Sequence, residues 1–451
     1  MTKITLPQGS PLLGPKFTFG VATAAFQIEG GADKREPCIW DLFCNKPGTV
    51  ADGSNGLVAC DHFNRLDSDL DLIASLGVDA YRFSVSWPRV IRADGTVSQS
   101  GLDFYRRIIE GLELRGIQPY VTLYHWDLPQ YLEDAGGWLN RDTCYHFRDY
   151  VDVVTKAFGD SVASYATLNE PFCSAYLGYE KGIHAPGDAD LFKGRTAAHH
   201  LLLAHGLAME VLRSNSPKAS SGIVVNLSPV YPASDSESDV NAAKLADDFL
   251  FNWYVQPVLQ KSYPESAWQF LPEEARPLVM DGDMDLIGQP IDYLGINYYT
   301  REVARVDSKN GFVQLPPNES VAVTDMNWEI YPNGLRDLLI GLKHRYSNLP
   351  TIVISENGAA FKDQLVNGEV EDLDRVEFIQ GHLLALNDAA EQGVDIAGYF
   401  LWSLMDNFEW AFGYEKRFGI TYVDYQSQKR TLKRSGKEYC KFLNSRTGQN
   451  E

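Results

Sequence analysis

Short apolar runs alternate with longer amphipathic stretches along this chain. Phe17 to Ala22 is the first run, and Asp67 to Leu76 follows with Leu70, Leu72, Ile73 and Leu76 on one helical face, closed by Gly77. Ala80 to Val85 reads as a second strand, Leu102 to Leu114 as a helix ended by Gly116, and Gln118 to Tyr124 as a third strand. A helix over Asp142 to Phe158 leads to a fourth strand, Tyr165 to Leu168, rich in β-favouring residues. Thr196 to Ser214 is a long helix before the fifth strand, Ile223 to Leu227; helical and loop material then leads to the sixth, Tyr293 to Asn297. The helix Leu335 to Tyr346 precedes the seventh, Thr351 to Ser355. Asp374 to Gln392, closed by Gly393, precedes the eighth, Ile396 to Trp402.

Strand alternating with helix argues for parallel strands joined by helical crossovers. Eight such units fit a closed (β/α)8 TIM barrel better than an open doubly wound sheet, since no Gly-rich turn follows the first strand. Such a barrel carries roughly 200 to over 400 residues as one unit. Residues 1–451 are therefore expected to form a single domain with elaborated βα loops, its core running from about 17 to 440. No internal repeat interrupts the pattern, and the nearest thing to a linker is Ser228 to Asp239, rich in Ser, Pro and Asp.

In a TIM barrel, function sits at the C-terminal strand ends. Those ends hold Gln27, Arg82, His125-Trp126, Asn169-Glu170, Asn226, Asn297-Tyr298-Tyr299, Glu356-Asn357 and Trp402. Each has an ordinary reading alone: a buried Arg pairs with a carboxylate, a Trp packs, an Asn bonds backbone in a turn, a Glu is a solvated strand end. Amides, a histidine, aromatic rings and two Glu at one face of one barrel are hard to explain by packing. Neutral donors and acceptors among aromatic planes suit a polyhydroxylated ligand, whose hydroxyls need many uncharged partners.

Pro171 stops the fourth strand and leaves Glu170 at its tip, while Glu356 stands at the tip of the seventh, nearly across the barrel. Two carboxyl groups flanking a sugar are what glycosidic cleavage requires. Environment must then split their roles. Arg82 reaching Glu356 would keep it ionised as the nucleophile, and Glu170, facing that charge with little water, would stay protonated as the acid.

Composition narrows the partners. The net charge of -20 repels nucleic acid and anionic membrane surfaces. Apolar runs such as Ala397 to Met405 fall short of the roughly 20 residues that a membrane helix needs. The Met1-Thr2-Lys3-Ile4 start lacks a secretory n-region and h-region, so a cytoplasmic location is expected. The six cysteines have no CxxC spacing and read as free thiols, with pairing among Cys38, Cys44 and Cys60 left open. His199, His200 and His205 lie on one helix without HExxH spacing, so packing is favoured over metal binding; no metal and no cofactor are expected.

Longer motifs carry a resemblance. Phe19-Gly20-Val21-Ala22-Thr23-Ala24 with Gln27-Ile28-Glu29-Gly30, Tyr81-Arg82-Phe83-Ser84 with Ser86-Trp87-Pro88-Arg89, and Thr122 to Pro129 come first. Thr167-Leu168-Asn169-Glu170-Pro171, Asn297-Tyr298-Tyr299, Ser355-Glu356-Asn357-Gly358 and Trp402 to Trp410 follow. In this order, from about Phe17 to Tyr439, they resemble glycoside hydrolase family 1 β-glucosidases.

That resemblance implies a retaining enzyme with Glu170 as acid/base and Glu356 as nucleophile. It implies that Gln27, His125, Trp126, Asn169, Glu409 and Trp410 hold the sugar, joined by Asn297 and Tyr299, with Trp402 as the platform beneath the ring. Arg82 and Tyr299 would support the nucleophile, and His184, Asn226 and Trp328 would touch the leaving group at the entrance. The implied substrates are small β-glucosides and cello-oligosaccharides, with β-galactosidase and β-fucosidase side activity, in cellulose and polysaccharide degradation. Phe19, Phe26 and Ser355 depart from the commoner Trp, Tyr and Thr, and remove no group the mechanism needs. Glu409-Trp410 argues against a 6-phospho-glycosidase, and Glu170 against a myrosinase-like enzyme, which carries Gln there. The rival reading is a catalytically weak sugar-binding protein on the same scaffold, which would normally have lost one carboxylate. Sugar preference and oligomeric state are not written in the sequence.

Overall fold

Parallel hydrogen bonding closes the eight apolar runs into one barrel in the computed structural model, which describes residues 3–447. The Met1-Thr2 start and the extreme C-terminus lie outside the described residues. The barrel strands are β1 (Thr18–Ala22), β2 (Ala80–Ser84), β3 (Gln118–Thr122), β4 (Ser164–Asn169), β5 (Ser220–Asn226), β6 (Tyr293–Asn297), β7 (Thr351–Asn357) and β8 (Ile396–Trp402). Each pairs with its neighbours in sequence, and β1 closes on β8 with Thr18 opposite Gly398 and Ala22 opposite Trp402. Every residue of β2 and β4 is buried, as expected of parallel strands covered on both faces.

The outer layer includes α1 (His62–Ser75), α2 (Gln99–Glu113), α3 (Asp142–Phe158), α4 (Leu191–Asn215), α5 (Glu237–Asp247), α6 (Pro332–Arg345), α7 (Leu373–Glu391) and α8 (Arg434–Thr447). α3 shows why these segments are helices: Phe147, Tyr150, Val151, Val154 and Phe158 recur at helical spacing and are buried. α2 begins three residues before the expected Leu102, because the Ser98 side chain accepts from the Gly101 N–H and caps the turn. Tyr293, Val353 and Phe400 cluster with Ala22, Ala80 and Trp402, separately from the main hydrophobic core. Tyr120 meets Phe400 there at a ring separation of 4.9 Å.

Two features depart from the expected pattern. Ser228 to Asp239 is not a linker: Val230–Pro232 pairs with the strand Glu302–Asp307, and Ser236 caps α5 by accepting from the Asp239 N–H. Its Ser-rich composition reflects a helix start. Glu302–Asp307 also pairs with Gly311–Gln314, and Thr421–Asp424 pairs with Lys429–Leu432, so the βα loops after β5, β6 and β8 carry small sheets of their own.

A buried charge knot ties the loops after β7 and β8 to the start of α8. Lys433 donates to Asp363 at 2.5 Å and to Asp406 at 2.6 Å. Arg375 pairs with Asp363 at 2.8 Å and with Asp372, and Arg417 pairs with Asp406 at 2.5 Å. Three cations balance three carboxylates. All six cysteines are free, and no described helix is long and apolar enough to cross a membrane.

Candidate active site

Both carboxyl groups stand just beyond a slip in strand register. β4 shifts against β5 between Ala166 and Asn169, and β7 shifts against β6 between Ile354 and Glu356. Such irregularities re-aim side chains at barrel rims. Glu170 then takes a left-handed backbone (φ 48) and turns the chain into the π-helical segment Cys173–Glu180. A glutamate pays strain energy in that conformation, and strain of this kind clusters at functional sites. At the other tip, a Cβ on Gly358 would lie 1.6 Å from the Trp402 carbonyl oxygen, so only glycine lets the end of β7 close onto β8.

The two groups meet in one hydrogen-bonded cluster. Arg82 Nη1 donates to Glu356 Oε1 at 2.6 Å, and the Tyr299 hydroxyl donates to Oε2 at 2.6 Å. Asn297 Nδ2 donates to Glu170 Oε1 at 2.6 Å, and the Cys173 thiol donates to Oε2 at 3.1 Å. Asn169 links the halves, its Oδ1 accepting from Arg82 Nη2 at 2.7 Å and from Asn297 at 3.1 Å. The Ser355 hydroxyl donates to Asn297 Oδ1 at 2.7 Å.

These surroundings divide the pair. Burial and then the negative charge of Glu356 push Glu170 up to about 7, against the pull of Asn297, Cys173 and Arg82. Burial raises Glu356 as well, but a guanidinium and a phenol touch it directly and favour its charge. Of two coupled carboxyls, the one on the guanidinium takes the charge. Glu409 is pushed up to about 8 by desolvation and by repulsion from Glu356 and Glu170.

Polar atoms without a protein partner ring this cluster. Buried Gln27 Oε1, His125 Nδ1, His184 Nδ1 and Asn226 Oδ1 have no hydrogen-bond partner among the described residues. Gln27 is fixed by its amide nitrogen, which donates to Asn407 and to the Phe408 carbonyl, both at 2.9 Å. Burial and Arg82 keep His125 neutral. Asn169 Nδ2 lies 3.1 Å from His125 Nε2 and can only donate, so the ring proton sits on Nδ1. Burial lowers His184 to about 3.

Aromatic planes frame the same space. The His125 ring lies 5.9 Å from Trp402 and 6.0 Å from Trp410, nearly parallel to both. Trp126 packs 4.5 Å from Trp410 and 5.4 Å from His184, and its Nε1 donates to the Asn169 carbonyl. Trp126 (φ 77) and Trp410 (φ 48) share the left-handed backbone of Glu170. Trp328, half-buried, meets Tyr299 at 5.4 Å.

The residues singled out in the sequence therefore converge, with Asn226 at the end of β5 opposite Asn297 and Trp328 against Tyr299. Cys173, Ser355 and Asn407 hold members of the cluster and were not singled out for it. Cys173 is three residues beyond Glu170, a spacing that brings two side chains together once the strand turns into a helix. The three helical histidines have structural partners instead of a metal. His205 bonds Thr167, His200 the Trp138 carbonyl, and His199 both Tyr263 and Asp283. No group of three His, Cys, Asp or Glu among the described residues could hold a metal ion.

Comparison with known proteins identifies the family. The family model "Glycosyl hydrolase family 1" matches residues 12–448. "Beta-glucosidase A" of Acetivibrio thermocellus is 45% identical over 98% of this chain and 99% of its own length. A "Bifunctional beta-D-glucosidase/beta-D-fucosidase" of Bifidobacterium breve is 43% identical over 96% and 98%. The solved family 1 β-glucosidase of Thermotoga maritima in complex with isofagomine lactam superposes with a TM-score of 0.93 at 41% identity, covering 98% of this chain and 99% of that one. A closed (β/α)8 barrel, two unlike carboxyl groups at its mouth and a match along nearly the whole sequence lead to one conclusion: the chain belongs to glycosyl hydrolase family 1.

Proposed function

We propose that this protein is a retaining β-glucosidase, removing terminal non-reducing β-D-glucosyl residues from cello-oligosaccharides and from aryl and alkyl β-glucosides. The observation that carries the reading is the asymmetry of the pair: Glu356 lies on Arg82 and Tyr299, whereas Glu170 is buried with its pKa raised to about 7. In the first step Glu356 attacks the anomeric carbon while Glu170 gives its proton to the departing oxygen, leaving a covalent glycosyl-enzyme. In the second, Glu170 takes a proton from water as that water attacks the same carbon, and Glu356 leaves. Two inversions retain the β configuration.

Gln27, His125, Asn169, Glu409 and Trp410 hold the sugar hydroxyls in this reading, with Trp402 beneath the ring and Trp126 and Asn297 fixing the wall. Tyr299 and Arg82 steady the nucleophile; His184, Asn226 and Trp328 meet the leaving group. Glu409 at the outer hydroxyls tolerates a change of configuration there, which gives β-galactosidase side activity, and the bifunctional name of the Bifidobacterium relative supports β-fucosidase side activity. Residues 1–451 work as one catalytic unit, and six free cysteines fit a reducing, cytoplasmic setting within polysaccharide breakdown.

Proton NMR of freshly released sugar tests the mechanism: β-glucose must appear first from a β-glucoside, and an initial α-anomer would sink the reading. A sugar-binding protein without turnover would release none. kcat/KM on aryl β-glycosides alongside cello-oligosaccharides of increasing length ranks the substrates.

A further inference from the structure

We infer that Cys173 is a positioning residue for Glu170, its S–H holding Oε2 of the carboxyl through both halves of the reaction. The inference rests on the acid/base role proposed for Glu170.

The Glu170 carboxyl has two oxygens and two protein donors, Asn297 on Oε1 at 2.6 Å and Cys173 on Oε2 at 3.1 Å. One turn of chain places both the thiol and the carboxyl. The Cys173 N–H donates to the Glu170 carbonyl at 2.9 Å, directly after the left-handed step that ends β4. Cys173 is 7% exposed, and burial together with the charges of Glu170, Glu356 and Glu409 pushes its thiol well above the ordinary range. It is therefore a protonated donor and a poor nucleophile.

Four other titratable groups face Glu170: Glu356 on β7, Arg82 on β2, Tyr299 after β6 and Glu409 after β8. Arg82 Nη1 and Nη2 and the Tyr299 hydroxyl donate to Glu356 and Asn169, and the negative charge of Glu356 opposes ionisation of Glu170. Among the described residues only the thiol donates to Oε2. A donor favours the ionised carboxylate. Cys173 thus works against burial and against Glu356, keeping the Glu170 proton releasable in the first step and its carboxylate available as base in the second.

The test is the pH profile of kcat/KM for an aryl β-glucoside in wild type, Cys173→Ala, Cys173→Ser and Glu170→Gln. A thiol is a weak donor, so its loss in Cys173→Ala is expected to move the alkaline limb up by about half a pH unit. Cys173→Ser restores a donor and returns the limb toward its wild-type place. A side chain that merely packs would change kcat or Tm and leave the limb still. An unmoved limb in Cys173→Ala, or equal shifts in Ala and Ser, overturns the inference. Glu170→Gln reports separately on the underlying role: if it keeps the alkaline limb, Glu170 is not the acid and the inference falls with it. If Glu170→Gln loses the limb while Cys173→Ala leaves it in place, only the role of Cys173 is lost. Should the alanine variant fail to fold, Cys173→Val against Cys173→Ser makes the same comparison.

Discussion

Arg82 holds Glu356 at 2.6 Å through Nη1 and Asn169 at 2.7 Å through Nη2, so one guanidinium sets both the charge of the nucleophile and the place of the residue beside the acid. Arg82→Lys keeps a positive charge and loses the planar fork. It is expected to lower kcat by about 10²-fold, the scale of losing one preorganised donor. Its acidic limb should move to higher pH, since Glu356 without the fork holds its proton more tightly. Steady-state kinetics across pH checks both; an unchanged acidic limb would contradict the role of Arg82.

Glu170 at about 7 predicts the alkaline side of the profile. The acid must be protonated, so turnover should fall as pH rises through about 7 and recover on return. The same shift appears in stability. A carboxyl whose pKa is raised on folding contributes most below its unfolded value of 4.5 and loses that contribution as pH rises through about 7. Glu170→Gln should therefore stabilise the fold more at pH 8 than at pH 5, by about 2 kcal/mol or less. Thermal melts at the two pH values decide it.

Substrate choice offers a sharper test of the same residue. Glu170→Ala should spare aryl glucosides with acidic leaving groups far more than cellobiose, because a good leaving group departs without a proton. Glu356→Ala should abolish turnover of both. Equal losses on the two substrates in Glu170→Ala would reverse the assignment.

Glu409 is held up at about 8 first by desolvation and then by repulsion from Glu356 and Glu170. As a neutral group near pH 7 it can both donate to and accept from sugar hydroxyls. Glu409→Gln preserves that neutral hydrogen bonding and should cost less than Glu409→Ala, by about tenfold in kcat/KM. Matched kinetics on a glucoside and a galactoside would show whether both configurations depend on it.

The charge knot at Lys433 predicts a stability effect far from the sugar. Lys433→Met removes one of three cations and leaves Asp363 and Asp406 under-compensated in the interior. Removing one member of a buried ion pair costs about 3–5 kcal/mol. A large drop in Tm is expected, together with reduced affinity, because Asp406 belongs to the segment that carries Glu409 and Trp410. Denaturation with and without a bound inhibitor would measure both.

The barrel was legible because parallel strands covered on both faces read as short, predominantly apolar runs: Ala80 to Ser84 and Ser164 to Asn169 are buried at every position. The polar residues ending those runs were legible for the same reason, as sharp breaks in an apolar pattern. Glu302–Asp307 was not, because its half-exposed, charged sequence forms a strand only through its neighbours. The Cys173 contact was hidden by a change from strand to helix inside three residues. The charge knot joins Asp363 and Lys433, 70 positions apart, and no local pattern announces such a meeting.

The slips in β4 and β7 separate two kinds of freedom in this molecule. Because both carboxyl groups lie past the point where register is lost, the pleat below does not dictate their aim. The barrel floor, with Tyr293, Val353 and Phe400, is free to exchange one bulky side chain for another while the rim keeps its direction. The last residues of β4 and β7, which aim the two carboxyl groups, have no such latitude. A change in the floor therefore alters packing, whereas a change at the tips of β4 and β7 alters the direction of the two carboxyl groups themselves.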